Sequence, residues 1–392
     1  MTSPESGAAG GSVGGLSGSL AAGLAAGLLG GLPGGPAAGG AAVGTSRPTP
    51  AFALRVGGLP LPPEVAADVI SVSAFQDVGL PGMFAVRLID WNPDRRATTW
   101  SDGPPFEPGA PVEVLLGYVG ALTSVLIGEI TGLELEIDGD QPPTVLVRGY
   151  DRRHRLMRGQ LTRTYVGVTD SDIARRIGAE RGLAVTATST TVRSAHVFQH
   201  NQTDLEFLTQ RARRIGYEVG IDDRTLLFRP RQRPQVATAV LRRDADLVSF
   251  APRLTTMGQT SGVVVQGWDP GQPDEQLRAV VGTDDPSARG AGSADPRTAG
   301  ALEVGNRTLV RPLADRADAE AMAGALADSS RPWRITGPGT CIGRPDVRAG
   351  ELVRIEGLGN RFSGDYAVTS ATHIFSPSTG YRTDFQVERR FP

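Results

Sequence analysis

From Ala51 onward, apolar and polar positions alternate in short runs separated by turn residues, the pattern of antiparallel sheet. Phe84, Val86 and Leu88 alternate with Ala85, Arg87 and Ile89, and Leu133, Leu135 and Ile137 alternate with Glu134, Glu136 and Asp138. The second run reads as a half-buried strand, aliphatic on one face and acidic on the other. Runs at 112–116 and 144–148 complete a β-rich region over residues 51–151.

The period then changes. Thr203 is followed three residues later by Glu206, a capping box, with Leu205, Leu208, Ala212 and Ile215 behind it at helical spacing and Gly216 as the stop. An earlier helix is predicted from Asp170 to Arg181, burying Ile173 and Ile177 and ending at Gly182, and residues 226–229 read as a strand. Residues 152–239 are therefore predicted to be a small α+β insertion. A second β-rich region spans 240–392. Within it, Gly, Asp, Pro and Ser dominate 270–301, which predicts a mobile loop, and Ala319, Met322 and Leu326 predict a helix over 313–328. In the closing run Tyr381, Thr383, Phe385 and Val387 face one way and Arg382, Asp384, Gln386 and Glu388 the other.

A divergent duplication links the two β-rich regions. PGAPVEVLLG, GEITGLELEID and TVLVRGYD, from residue 108, match in outline AGELVRIEGLG, GDYAVTSATHIF and TDFQVERR, from residue 349; VLVRGYD at 145–151 also resembles VVVQGWD at 263–269. The repeat predicts two similar β-barrels in one chain, separated by the insertion. The fold class is thus α+β, mostly antiparallel β: first barrel 51–151, insertion 152–239, second barrel 240–392.

Residues 1–50 differ in composition. Fifteen of the chain's 51 glycines fall before residue 45, where Glu5 is the single charge, so a disordered Gly/Ala-rich tail is expected and a secretory signal is not. The apolar run Leu20–Leu32 is shorter than the roughly 20 residues a spanning helix needs, so no stable membrane insertion is expected. Leucines at 16, 20, 24, 28 and 32 would lie along one side of a helix formed against a partner.

Charge narrows the function. The 392 residues carry a formal net charge of −2, with 40 basic residues that are all arginine, so there is no global field to gather nucleic acid. Arg152, Arg153, Arg155 and Arg158, and Arg229, Arg231 and Arg233, cluster without the interleaved aromatics of single-strand binders, and pairing with carboxylates is the expected role. Cys341 is the single cysteine, expected to be a small buried hydrophobe, so the fold does not depend on internal disulfides. The histidines are His154, His196, His200 and His373; only His196 and His200 have ligand-like spacing, no HExxH pattern joins them, and they are expected in a hydrogen-bonded turn before the helix cap. Glu129 with Glu134, and Asp222 with Asp223, are expected on exposed faces rather than as a glycosidase dyad. No serine is read as a nucleophile elbow, the one GxSxG spacing (residues 10–14) lying within the Gly/Ala-rich tail, and no phosphate loop is present. No catalytic, cofactor-binding or metal-binding residue is assigned, no cofactor is expected, and an enzyme is not expected. A peptidoglycan-binding or wall-degrading protein is the competing reading, since 160–230 could form a small glycan-binding module.

GDYAVTSATHIFSPSTG followed by GYRTDFQVERRF resembles the closing strands of the phage late control protein D family, and TDSDIARRIGAERGL followed by FQHNQTDLEFLTQRARRIGYEVGIDDRTLLFR resembles its middle segment. That family includes the baseplate hubs of contractile phages, the front part of valine-glycine-repeat (VgrG) spikes, and hub proteins of extracellular contractile injection systems. The resemblance, over about 51–392, implies a homotrimer whose tube-like barrels make a pseudo-sixfold ring between an inner tube and a threefold spike. Other baseplate proteins are the remaining partners. It implies assembly in the bacterial cytoplasm into a phage tail or injection particle. Because the sequence stops at Pro392, directly after the closing strand, a separate spike protein is expected.

Overall fold

A computed structural model describes residues 48–255, 262–269, 272–282, 307–329 and 334–390; the glycine-rich segment 1–47 lies outside them, and with it the expected tail and its leucine stripe. In chain order come β1 (Pro50–Val56), β2 (Leu59–Pro60), α1 (Pro63–Ala67), β3 (Val69–Asp77), β4 (Met83–Ile89), β5 (Pro111–Tyr118), β6 (Ala121–Glu136) and β7 (Thr144–Tyr150). A 3-10 turn at Arg152–Met157 leads into β8 (Leu161–Thr169), α2 (Asp170–Glu180), β9 (Ala184–Ala187), β10 (Arg193–Gln202), α3 (Asp204–Arg214), β11 (Tyr217–Asp222) and β12 (Thr225–Pro230). Then follow β13 (Ala239–Arg242), β14 (Leu247–Phe250), β15 (Arg253–Thr255), β16 (Gly262–Asp269), β17 (Gln272–Gly282), β18 (Arg307–Val310) and α4 (Arg316–Ser329). The chain closes with β19 (Arg334–Ile342), β20 (Leu352–Glu356), α5 (Gly359–Phe362), β21 (Gly364–Ser376) and β22 (Gly380–Arg390).

The two longer helices of the middle region form where the caps place them. Thr203 accepts the Glu206 N–H while the Glu206 carboxylate accepts the Thr203 N–H, and Thr169 with Asp172 repeats this box at the start of α2. Ile173, Ile177, Leu205, Phe207 and Leu208 face a core closed by Leu226 and Phe228 of β12. Helix α4 starts three residues later than the sequence predicts, where Asp315 accepts the Asp318 N–H at 2.8 Å. It packs Ala319, Met322 and Ala323 on Val263 and Val265 of a three-stranded sheet ordered β17-β16-β18. Strands β17 and β18 of that sheet were not legible in the sequence: β17 occupies much of the first half of the predicted loop 270–301, while 283–306 lies outside the described residues. VVVQGWD lies on β16 of this separate sheet, so its likeness to VLVRGYD on β7 is not part of the duplication.

The predicted barrels are not there. The β-rich regions merge into one 14-stranded, mostly antiparallel sheet, with main path β14-β19-β22-β21-β3-β4-β7-β6-β5-β1-β2, and among the described residues no sheet closes on itself. The physical reason is the edge of β3. Instead of returning to the first strand of its own region, β3 pairs along Val72–Asp77 with Phe375–Ser370 of β21. The fold is a mixed α+β fold with few, short helices. Phe375 and Tyr381 accordingly sit in the core of the first region, among Leu54, Val72, Phe84 and Val114.

The duplication itself is present as strand order. The first region reads β1-β5-β6-β7-β4-β3 and the second β13-β20-β21-β22-β19-β14, which is the same order of positions. Local detail repeats as well. Gly109, at φ +91°, donates to the Ile130 carbonyl at 2.8 Å, and Gly350, at φ +89°, donates to that of Val368 at 2.8 Å. The register shifts between Ile130 and Gly132 against β7, and between Val368 and Ser370 against β22. It shifts again between Val69 and Ser71 against β4, and between Leu247 and Ser249 against β19. One difference stands out: β1 is antiparallel to β5, whereas β13 is parallel to β20.

Candidate functional site: charged joints and open strand edges

Side-chain chemistry gathers at the joints between regions. Glu129, at the middle of β6, is buried beneath the 3-10 turn 152–157. Its Oε1 accepts from Arg152 Nε at 3.0 Å and Arg155 Nη2 at 2.5 Å; its Oε2 faces His154 Nε2 at 2.9 Å and accepts from Arg155 Nε at 3.1 Å. Burial alone would raise the Glu129 pKa, but the hydrogen bonds from Arg155, His154 and Arg152 prevail and hold it at about 2. Beside it, Asp151 accepts from Gly82 N at 2.6 Å and from Arg153 Nε at 2.9 Å, and Arg152 also reaches Asp223 on the turn between β11 and β12. This cluster clamps the middle region to β6.

Asp204, the first residue of α3, is the second such centre. It is fully buried, with Arg163 Nη2 at 2.6 Å, Arg181 Nε at 2.7 Å and Gln199 Nε2 at 3.1 Å. The QTDLEFL segment is thereby explained: Thr203 caps, Asp204 anchors, and Leu205, Phe207 and Leu208 fill the core. Helix α3 is tied to α4 by Arg214, which donates to the buried Asp318.

The other sequence-nominated residues fall apart in space. Arg229 pairs with Glu218 at 3.0 Å, Arg233 with Asp328 at 2.7 Å, and Arg231 lies 3.7 Å from Glu388, so both arginine clusters are engaged with carboxylates. Arg158 reaches His154 Nδ1 at 3.5 Å. Glu134 is not part of a dyad with Glu129 but pairs with Arg148 at 3.2 Å, and Asp222 ends β11. His196 and His200 sit on β10, not in a turn, their rings stacked on either side of Phe198. Cys341 is buried, and that burial pushes its thiol up to about 12. Among the described residues no group of His, Cys, Asp and Glu has metal-holding geometry, and no described helix is long and apolar enough to cross a membrane. A groove of about 320 Å³ between Arg55, Pro111, Arg152 and Arg224 is shallow, and its arginines Arg55 and Arg152 already hold Glu113 and Asp223.

His373, on β21, is a fully buried titratable group. Its Nδ1 faces Tyr381 Oη at 2.9 Å and Thr383 Oγ1 at 3.2 Å, and its Nε2 has no partner among the described residues. Burial, and then the Arg348 charge, lower its pKa to about 3 against the opposing pull of Asp346. The unfolded chain therefore takes up this proton before the native one does. Stability is full above pH 6.5 and falls with acidification toward pH 3, by about 1.4 kcal/mol per pH unit while the native imidazole stays neutral. Urea titrations of wild type and His373→Gln between pH 7 and 4 check this: the variant's stability should fall less steeply with acid.

Comparison with known proteins places this architecture. A family model described as the Alg8 N-terminal domain matches residues 48–376. A search of curated proteins gave no match. Among solved structures, the 43 kDa tail protein of prophage MuSo2 from Shewanella oneidensis is similar at 14% identity over 86% of this chain and 98% of that one, with a TM-score of 0.59. A tail protein from Neisseria meningitidis MC58 is similar at 15% identity over 87% and 97%, with a TM-score of 0.61. The Escherichia coli c3393 protein, a component of the type VI secretion system similar in structure to the T4 tail proteins gp27 and gp5, gives 14% identity over 85% and 76%, with a TM-score of 0.52. At these identities the likeness establishes a shared fold.

Proposed function

Since the chain belongs to the Alg8 N-terminal domain family, and shares its fold with phage tail proteins, we propose that it is a structural adaptor, the baseplate hub of a contractile injection system or phage tail. The single observation that carries this reading is the duplicated strand order, β1-β5-β6-β7-β4-β3 and β13-β20-β21-β22-β19-β14, within one chain. Three copies of a chain with two equivalent units present six equivalent positions on a threefold axis, which is the geometry needed to join a sixfold tube to a threefold spike. The work is positional. Its partners are two further copies of itself, a tube or tube-initiator ring, a separate spike chain and neighbouring baseplate proteins, and it is assembled in the bacterial cytoplasm into the particle.

The sequence resemblance to the late control protein D family supports the same role. So does the engagement of the conspicuous ionisable clusters in internal ion pairs, since Glu129, Asp204 and Asp318 each hold arginines instead of facing a substrate cleft. Partners that bind only the assembled form shift a weak trimer toward assembly by mass action. The test is a reconstruction of the intact particle: three copies are expected between tube and spike, and six copies, or a position elsewhere, would overturn the hub reading.

A further inference from the structure

Resting on the reading that copies of this chain assemble around an axis, we infer that the edge formed by β14 and β15 of one copy adds as a strand to the outer half of β6 of the next, in a register that the chain itself displays. The guide is the internal pairing of β3 with β21. Strands β6 and β21 occupy the same position in the two units, and β14 with β15 occupies the position of β3. In the second unit, β20 covers the first part of β21 as far as Ala367, and β3 takes the same edge from Ser370 onward. In the first unit, β5 likewise covers β6 only as far as Glu129. Beyond Ile130 that edge of β6 has no strand partner among the described residues, and neither has the outer edge of β14.

The shared register shifts fix which residues correspond. Gly132 and Ser370 both follow the shift on the central strand, and Ser71 and Ser249 both follow it on the edge strand. Transposing Thr372↔Phe75, Ile374↔Ser73 and Phe375↔Val72 gives Glu134↔Arg253, Glu136↔Ala251 and Ile137↔Phe250 between copies. Chemistry at these positions agrees. Glu134 meets Arg253, which is exposed and makes no ion pair among the described residues. Leu135 and Ile137 are 47% and 72% exposed in the single chain, although their alternation marks a face to be buried, and they meet Pro252 and Phe250. Pro252 stands where β3 has Ala74, so this edge lacks one amide donor; that blunts it against indiscriminate strand pairing and leaves the matched edge as its partner.

The experiment uses the full chain in intact particles, where Cys341 is buried and adds no reactive thiol. Glu136→Cys with Ala251→Cys places two thiols on directly opposed positions, within disulfide reach, whereas Glu136→Cys with Pro252→Cys points them to opposite faces. Mild oxidation is expected to link the first pair between copies into covalent trimers, about tenfold more than the second. Equal linking by both pairs, or no linking in particles that reconstruction shows to hold three copies, would overturn the register while leaving the hub reading intact. Particles without three copies would overturn both. As a check independent of cysteines, Glu134→Arg should lower incorporation into particles, and adding Arg253→Glu should restore it. Failure of the swap to restore it, with both variants folded by circular dichroism, counts against the pairing.

Discussion

Replacing Glu129 by alanine is expected to destabilise the chain by about 3–5 kcal/mol in urea unfolding at neutral pH, the range for removing one partner from a buried ion pair. The carboxylate is held between Arg152, His154 and Arg155, with Arg152 and His154 themselves buried. Its loss leaves cationic groups beneath the 3-10 turn without their carboxylate. Arg152 keeps Asp223, but Arg155 loses both hydrogen bonds that orient it. The wild-type contribution has a defined pH window. Because the native pKa is depressed, the stabilisation is present above 4.5 and is lost as pH falls toward about 2. Glu129→Gln should show the same loss of stability at pH 7 and a shallower decline between pH 4.5 and 2; equal acid slopes in variant and wild type would refute the assignment.

The second large effect is expected at Asp204. Asp204→Ala removes the acceptor shared by Arg163, Arg181 and Gln199 at a fully buried point and should cost about 3–5 kcal/mol. Three elements lose their common anchor, since Arg163 comes from β8, Arg181 follows α2 and Gln199 lies on β10. Thr203→Ala, one residue earlier, removes only the cap and should cost about 1 kcal/mol. Comparing the two variants in one denaturant series separates anchoring from capping. Costs of equal size would mean that the half-buried arginines find other partners and that Asp204 is merely a helix-terminal acid.

These joints explain why local reading of the chain succeeded in some places and failed in others. Helices α2 and α3 were legible because a 3.6-residue apolar period, with a capping box before α3 and a glycine stop after α2, is a property of about a dozen consecutive residues. Strand β17 was not, because it shares its composition with loops and is held by Val263 and Val265 beneath α4. Glu129 and Asp204 were ordinary acids in sequence. Their partners stand 23 to 26 and 5 to 41 positions away along the chain, and only folding brings them within hydrogen-bond distance.

The same division holds for the architecture. Alternation with period two determined that residues 51–151 are β-rich and that the closing run is a strand, and the repeated glycine-led segments determined that the chain holds two equivalent strand sets, because both are carried by local backbone geometry and side-chain facing. Whether those sets close on themselves was decided by tertiary structure alone. Closure depends on which strand an edge meets, and an edge carries the same N–H and C=O groups whatever its side chains; here β3 meets β21, and two expected barrels become one open sheet with edges left at β14 and along β6.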